Sequence, residues 1–167
     1  MNKFFLSLFG IGYLTNFPGT LASLVTCIVF YFLWVFFGIK TFLIPYITLL
    51  LLFFFVSIYL INKVFGDQDS KEIVVDEFIG QSIPLLFWYF VDLNKDGFFS
   101  SFDFVINYKF EIWVALSFFL FRFFDILKPF PINLVDNNIK NGLGVMLDDV
   151  IAGIFSTIIL YLLFMWI

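Results

Sequence analysis

The strongest indication of the fold is the run at residues 41–61, TFLIPYITLLLLFFFVSIYLI, which contains no charged side chain. A helix needs about 20 mostly apolar residues to cross the hydrocarbon core of a bilayer. The run meets that length and predicts a membrane-spanning helix. Residues 21–39 meet the same standard, and residues 150–167 nearly do.

The composition of the whole chain agrees with this prediction. The 167 residues are 62% hydrophobic and 13% charged, and 29 of them are phenylalanine. A soluble domain is about half apolar and about one quarter charged. We therefore expect a single membrane-embedded domain over residues 1–167, which is a suitable length for one domain.

Two shorter apolar runs, residues 78–91 and 112–124, complete the predicted bundle. Each is long enough to cross the membrane only if the span includes a polar residue at its end, which is Glu77 for the first run and Arg122 for the second. Such side chains must face protein or water, because lipid cannot satisfy them. The fold class predicted is all-α, with about five membrane helices.

Five helices place the connecting segments alternately on two sides of the membrane. The side with the N-terminus, residues 62–77 and residues 122–149 carries six of the nine basic residues. Under the positive-inside rule that side is cytoplasmic. Nine of the thirteen acidic residues lie there as well.

The chain lacks several common catalytic groups. It has no histidine, one cysteine and, in Arg122, one arginine. An internal disulfide, a Cys/His zinc site and a histidine base or nucleophile are therefore excluded. Any chemistry must use carboxylates, hydroxyls, lysines and Arg122, together with a metal ion.

The segment FPGTLAS, residues 17–23, precedes the first long apolar run. Pro18 and Gly19 are expected to break the chain, and Thr20 is a suitable N-cap, with Ser23 three residues later. The N–H groups and hydroxyls of a helix start favour an anion such as phosphate. Capping alone would also explain the pattern.

The segment VVDEFIG, residues 74–80, opens the third predicted helix. Asp76 could cap this helix while Glu77 reaches inward, since adjacent helical residues point about 100° apart. Acidic residues in a first turn are also ordinary partners of the helix dipole.

The segment FRFFDILKPFP, residues 121–131, closes the fourth predicted helix. Arg122 and Asp125 are three residues apart and share a helical face. A planar guanidinium inside an apolar run suits the binding of a carboxylate or a phosphate. The alternative is an ion pair accompanied by a Lys128 side chain that extends to the membrane surface.

The segment NGLGVMLDD, residues 141–149, leads into the last apolar run. Asp148 or Asp149 could cap that helix, which leaves the other aspartate unexplained. Residues 92–103 match the start of a calcium-binding loop but are interpreted as a turn, and DQD at residues 67–69 is similar to the paired aspartates of haloacid-dehalogenase phosphatases but follows a membrane helix instead of a buried strand. Asp, Asn and Gly are common turn residues.

In their order along the chain, PGTLAS, VVDEFIG, RFFDILKPFP and GLGVMLDDVIAG closely resemble the phosphatidylglycerophosphatase A family. The resemblance extends from Pro18 to Gly153. It implies hydrolysis of phosphatidylglycerophosphate to phosphatidylglycerol and phosphate, dependence on magnesium, and a bacterial inner membrane. Ala22, where relatives often have glycine, and the loop at residues 92–103 depart from the pattern without touching a candidate ligand.

The chemistry of the residues agrees with that resemblance, because hard carboxylate oxygens suit Mg²⁺. We expect the phosphate to be attacked either by water with metal assistance or by an aspartate that becomes phosphorylated. The expected metal ligands are Asp76, Glu77, Asp125, Asp148 and Asp149. The expected phosphate-binding residues are Thr20, Ser23, Arg122 and Lys128. The expected catalytic residues are those five carboxylates with Arg122 and Lys128.

The expected partners are the lipid substrate and the membrane, with no nucleic acid, and the sequence leaves the oligomeric state open. One rival interpretation is a small transporter or ion-conducting protein with carboxylates inside the membrane. That class should carry polar residues near the midplane, whereas residues 21–39 and 41–61 are almost purely apolar. A non-catalytic scaffold is the other rival, and it leaves the four motifs unexplained.

Overall fold

The computed structural model describes residues 2–66, 70–93 and 109–166, and within those ranges every regular element is a helix. The all-α class is thus confirmed. The DQD segment and most of the loop at residues 92–103 lie outside the described residues. The helices are α1 Asn2–Leu6, a 3₁₀ turn Ile11–Tyr13, α2 Pro18–Phe37, α3 Ile39–Val64, α4 Val75–Leu93, α5 Lys109–Leu127, α6 Ile132–Asn138 and α7 Gly142–Trp166.

Three of the helices in the described ranges are long and apolar enough to cross a membrane. They cover Pro18–Phe37, Lys40–Val64 and Gly142–Phe164, and they correspond to α2, α3 and α7. The other two predicted spans form α4 and α5, which have 19 residues each. Both are long enough for a span, and the five-span topology stays a prediction.

The helix starts differ from the sequence prediction in two places. Helix α2 begins at Pro18, with Phe17 at the N-cap position, so the predicted cap at Thr20 is wrong. Proline suits the first helical position because its φ is already helical and its missing N–H is not needed there.

The predicted cap of the last helix is wrong as well. Helix α7 begins at Gly142, so Asp148 and Asp149 lie inside it. Asn141 supplies the cap, because its Oδ1 accepts hydrogen bonds from the backbone N–H groups of Leu143 at 3.0 Å and Gly144 at 3.2 Å. With the cap elsewhere, both aspartates are available to the interior of the bundle.

Helix α4 lies at the centre of the bundle and contacts α2, α3, α5 and α7. Its crossing with α7 depends on two glycines. A Cβ atom at Gly153 would lie 2.4 Å from the carbonyl oxygen of Gly80, and one at Gly80 would lie 2.6 Å from the carbonyl oxygen of Asp149. Small residues allow helix backbones in membranes to approach closely. This contact brings Asp149 beside the first turns of α4.

Candidate functional site

A cavity of about 690 Å³ opens at one end of the bundle. The first turns of α2, α4 and α7 surround it, together with the last turn of α5 and the helix α6. These elements carry the four motifs, so segments far apart in the sequence share one cavity. The predicted site residues that line it are Thr20, Asp76, Glu77, Arg122, Asp125, Lys128, Asp148 and Asp149.

Ser23 is the predicted site residue that does not line this cavity. Its side chain is fully buried, and its Oγ donates a hydrogen bond to the carbonyl oxygen of Gly19 at 2.9 Å. Ser23 lies one helical turn deeper than Gly19, on the side of α2 that packs into the bundle. The structure therefore separates it from Thr20, the other hydroxyl predicted to bind phosphate.

Three of the five predicted metal ligands converge. Asp76, Glu77 and Asp149 each place one carboxylate oxygen within 4.8 Å of the others. Asp76 and Asp149 are buried, and the Oε2 atom of Glu77 is buried without a hydrogen-bond partner among the described residues. Carboxylates this close repel one another, and burial makes each negative charge costly. A divalent cation with hard oxygen preference would relieve both effects.

Asp125, also predicted as a metal ligand, lies outside this group of three and forms an ion pair. Nη1 of Arg122 donates to Oδ2 of Asp125 within α5. Both side chains are mostly buried, at 15% and 12% exposure. The Nε atom of Arg122 is buried and has no hydrogen-bond partner in the described ranges, so one N–H of the guanidinium is unsatisfied. The pair thus holds a guanidinium at the cavity wall with donor capacity to spare.

Asp148, also predicted as a metal ligand, is bound to Lys128. The Nζ atom of Lys128 lies 2.5 Å from Oδ2 of Asp148 and 2.8 Å from Oδ1 of Asp136. Burial disfavours the ammonium ion, but the hydrogen bonds and charges of the two aspartates outweigh burial and raise the pKa of Lys128. The lysine is therefore cationic throughout the physiological pH range.

Asp136 is a cavity residue that the sequence motifs did not single out. It lies on the short helix α6, between the third and fourth motifs. The only signal in the sequence was its position in a segment that connects two charged motifs. Its contact with Lys128 spans eight residues and depends on how the chain turns after α5.

Gly19 has a role that differs from the predicted chain break. A Cβ atom at this position would overlap Oε1 of Glu77 and lie 3.1 Å from Nη1 of Arg122. Because glycine has no side chain, the start of α2 can approach α4 and α5 at the cavity. Gly19 is thus required by the contact between three helices, and the sequence alone gave no sign of it.

The apolar helices, with a cavity lined by charged residues at their common end, define an integral membrane protein. The chain belongs to the phosphatidylglycerophosphatase A family, whose model matches residues 4–164. It is therefore a membrane phosphatase.

Individual relatives cover most of the chain. It is 36% identical to the phosphatidylglycerophosphatase A of Haemophilus influenzae over 95% of this chain and 85% of the relative. It is 34% identical to the phosphatidylglycerophosphatase A of Escherichia coli K12, over 92% of this chain and 77% of the relative. A candidate phosphatidylinositol-3-phosphatase of Bacteroides thetaiotaomicron is 34% identical over 91% of this chain and 86% of the relative. No solved structure matches the chain.

Proposed function

We infer that this protein hydrolyses phosphatidylglycerophosphate to phosphatidylglycerol and inorganic phosphate. The observation that carries this inference is the cavity in which the family motifs meet, with clustered carboxylates beside Arg122 and Lys128. The negative charge of a phosphomonoester is stabilised by cationic side chains. The headgroup of a lipid lies at the membrane surface, so these side chains must lie at one end of the apolar helices. The family membership supplies the substrate.

We propose that Asp76, Glu77 and Asp149 hold Mg²⁺. Their oxygens are close enough for one shared cation, and the buried Oε2 of Glu77 has no protein partner among the described residues. Oxygen ligands of this kind suit Mg²⁺, and the chain has no histidine for a softer site. When bound, the ion would polarise the phosphoryl group and stabilise its developing negative charge.

The remaining cavity residues would orient the phosphate. Arg122 presents a planar donor set to the phosphate oxygens, with Asp125 fixing its orientation. Lys128 contributes a second positive charge, and Thr20 lies at the start of α2, where backbone N–H groups favour an anion.

In the proposed reaction, water forms a new bond to phosphorus and the bond from phosphorus to the glycerol oxygen breaks. The glycerol oxygen takes up a proton, and the attacking water loses one. The products are then phosphatidylglycerol and phosphate. We prefer this route to a phosphorylated aspartate because the clustered carboxylates suit cation binding.

We also propose that five helices cross the bacterial inner membrane, with the cavity at the cytoplasmic side. The bias of six basic residues against three supports this orientation. The rival interpretation as a transporter gains no support from the site, because the charged residues of the cavity gather at one end of the helices.

The test is phosphate release by the purified protein from phosphatidylglycerophosphate, with phosphatidylinositol 3-phosphate as a comparison lipid. We expect Asp149→Asn to fold normally and to lose about 10²-fold or more in turnover, similar to the loss of one transition-state-stabilising group. Glu111→Gln is the matched control, because Glu111 is an exposed carboxylate at the opposite end of α5 from Arg122. Normal turnover by Asp149→Asn would refute the proposed site.

A further inference from the structure

A second concave surface lies between the outer faces of α2 and α5. This groove has a volume of about 460 Å³ and is almost entirely apolar. Helix α2 contributes Leu24, Ile28 and Phe32, and helix α5 contributes Ala115 and Phe119. Leu24, Ile28, Phe32 and Phe119 are 44–67% exposed, so in a membrane the groove faces lipid.

The groove continues the cavity on helix α2. Thr20 lines the cavity, and Leu24, Ile28 and Phe32 follow at intervals of four residues. Residues at this spacing form a continuous ridge that winds slowly around a helix. This ridge of α2 therefore runs from the polar cavity into the apolar groove.

Helix α5 shows the same continuity in the opposite chain direction. Arg122 lines the cavity, and Phe118, Phe119 and Ala115 precede it by four, three and seven residues. These spacings also fall on one helical face. The two helices that flank the groove thus both reach the cavity, α5 with Arg122 and α2 with Thr20.

Two exposed apolar residues lie at the edge of the cavity formed by these two helices. Phe17, just before α2, and Ile126, near the end of α5, both line the cavity. Their side chains are 75% and 66% exposed. An amphipathic ligand could therefore extend from the cavity into the groove without crossing a polar barrier.

The depth of the groove corresponds to one leaflet of a membrane. From Leu24 to Phe32 the helix rises by about 12 Å at ~1.5 Å per residue. One half of a bilayer core is about 15 Å thick, since the whole core is ~30 Å. A lipid whose headgroup occupies the cavity would have its acyl chains at this depth.

We propose that the groove between α2 and α5 binds one acyl chain of the phosphomonoester lipid whose headgroup is hydrolysed in the cavity. This rests on the proposed function. Because membrane lipid is as apolar as the groove, the contact adds little affinity by hydrophobic burial. Its effect is to orient the lipid, so that the phosphate meets Arg122 and the carboxylates in one geometry.

The test fills the groove with Ala115→Trp, since Ala115 is a small, exposed lining residue. The matched control is Thr48→Trp, because Thr48 is an exposed residue of α3, which does not line the groove. Phosphate release is measured with dioleoyl phosphatidylglycerophosphate and with the dihexanoyl form, whose short chains end near the headgroup. Both substrates are presented in the same non-ionic detergent.

We expect Ala115→Trp to reduce kcat/KM for the dioleoyl substrate by about tenfold or more, as for a misplaced reactant. Its activity on the dihexanoyl substrate should match the wild type, and Thr48→Trp should act normally on both. An unchanged dioleoyl rate, or an equal loss on both substrates, would overturn the proposal. Inactivity of the wild-type protein on both lipids would instead refute the proposed function.

Photo-crosslinking tests the same groove without turnover. Phosphatidylglycerophosphate and phosphatidylcholine, each with a diazirine in one acyl chain, are compared in vesicles. We expect the phosphomonoester lipid to label α2 and α5 preferentially, and Ala115→Trp to suppress this labelling. Equal labelling by both lipids would mean that the crosslinks come only from the surrounding membrane lipid. Dimers formed through Ile28→Cys would assign the groove to a second copy of the chain. Either result would overturn the proposal.

Discussion

Replacing Gly19 by alanine tests whether the start of α2 must approach the carboxylate cluster. Gly19 is the second residue of α2, and its backbone lies against Glu77 and Arg122. An added Cβ would overlap Oε1 of Glu77 and lie 3.1 Å from Nη1 of Arg122. One methyl group therefore meets both a proposed metal ligand and a proposed phosphate ligand.

The energetic effects of this change oppose each other. Alanine is favoured over glycine inside a helix by about 1 kcal/mol, and by less near an end. Overpacking typically costs about 1–3 kcal/mol, at the low end when the clash is with a movable side chain. The carboxylate of Glu77 is such a group, so we expect it to move and the fold to persist. A displacement on the order of 1 Å can lower the rate by about 10²-fold.

The assay is release of phosphate from phosphatidylglycerophosphate, with the thermal unfolding midpoint measured on the same preparation. We expect Gly19→Ala to lose about 10²-fold in kcat while its unfolding midpoint stays near that of the wild type. Gly153→Ala is the contrasting variant, because its Cβ would meet the backbone oxygen of Gly80 at 2.4 Å. Backbone cannot move aside easily, so this variant should lose stability. Wild-type turnover by Gly19→Ala would refute the reasoning.

Three further predictions concern the charged groups of the cavity. Asp136→Asn removes one of the two carboxylates that hold Lys128, so the ammonium group should be less well placed and kcat should fall several-fold with no shift in the unfolding midpoint. Normal turnover by this variant would exclude the pairing from catalysis. Arg122→Lys keeps the charge but loses the planar donor set, and should lower kcat by about 10²-fold, whereas Lys63→Arg at an exposed position should act normally. Chelation should abolish activity, and Mg²⁺ should restore it and raise the unfolding midpoint of the wild type but not of Asp149→Asn. Full activity after exhaustive chelation would exclude the metal.

The amino-acid pattern alone was sufficient to predict a membrane helix bundle with its motifs on one side. The apolar run at residues 41–61 indicates a membrane-spanning helix, because a segment is stable in hydrocarbon only when its backbone groups are hydrogen-bonded to one another. Charged side chains are costly in that region, so Asp76, Arg122 and Asp149 were expected close to one side of the membrane. The spacing of the family motifs then indicated that these ends carry the site.

Which of these residues contact one another depends on the packing of the helices. Asp149 joins Asp76 and Glu77, while Asp125 and Asp148 are engaged by Arg122 and Lys128. The grouping depends on how each helix is rotated about its axis and how closely the helices approach. Those quantities follow from contacts between distant segments, such as Gly80 against Gly153, and no local pattern specifies them. For the same reason, no sequence pattern indicated the contacts that Gly19 makes with Glu77 and Arg122 or that Asp136 makes with Lys128.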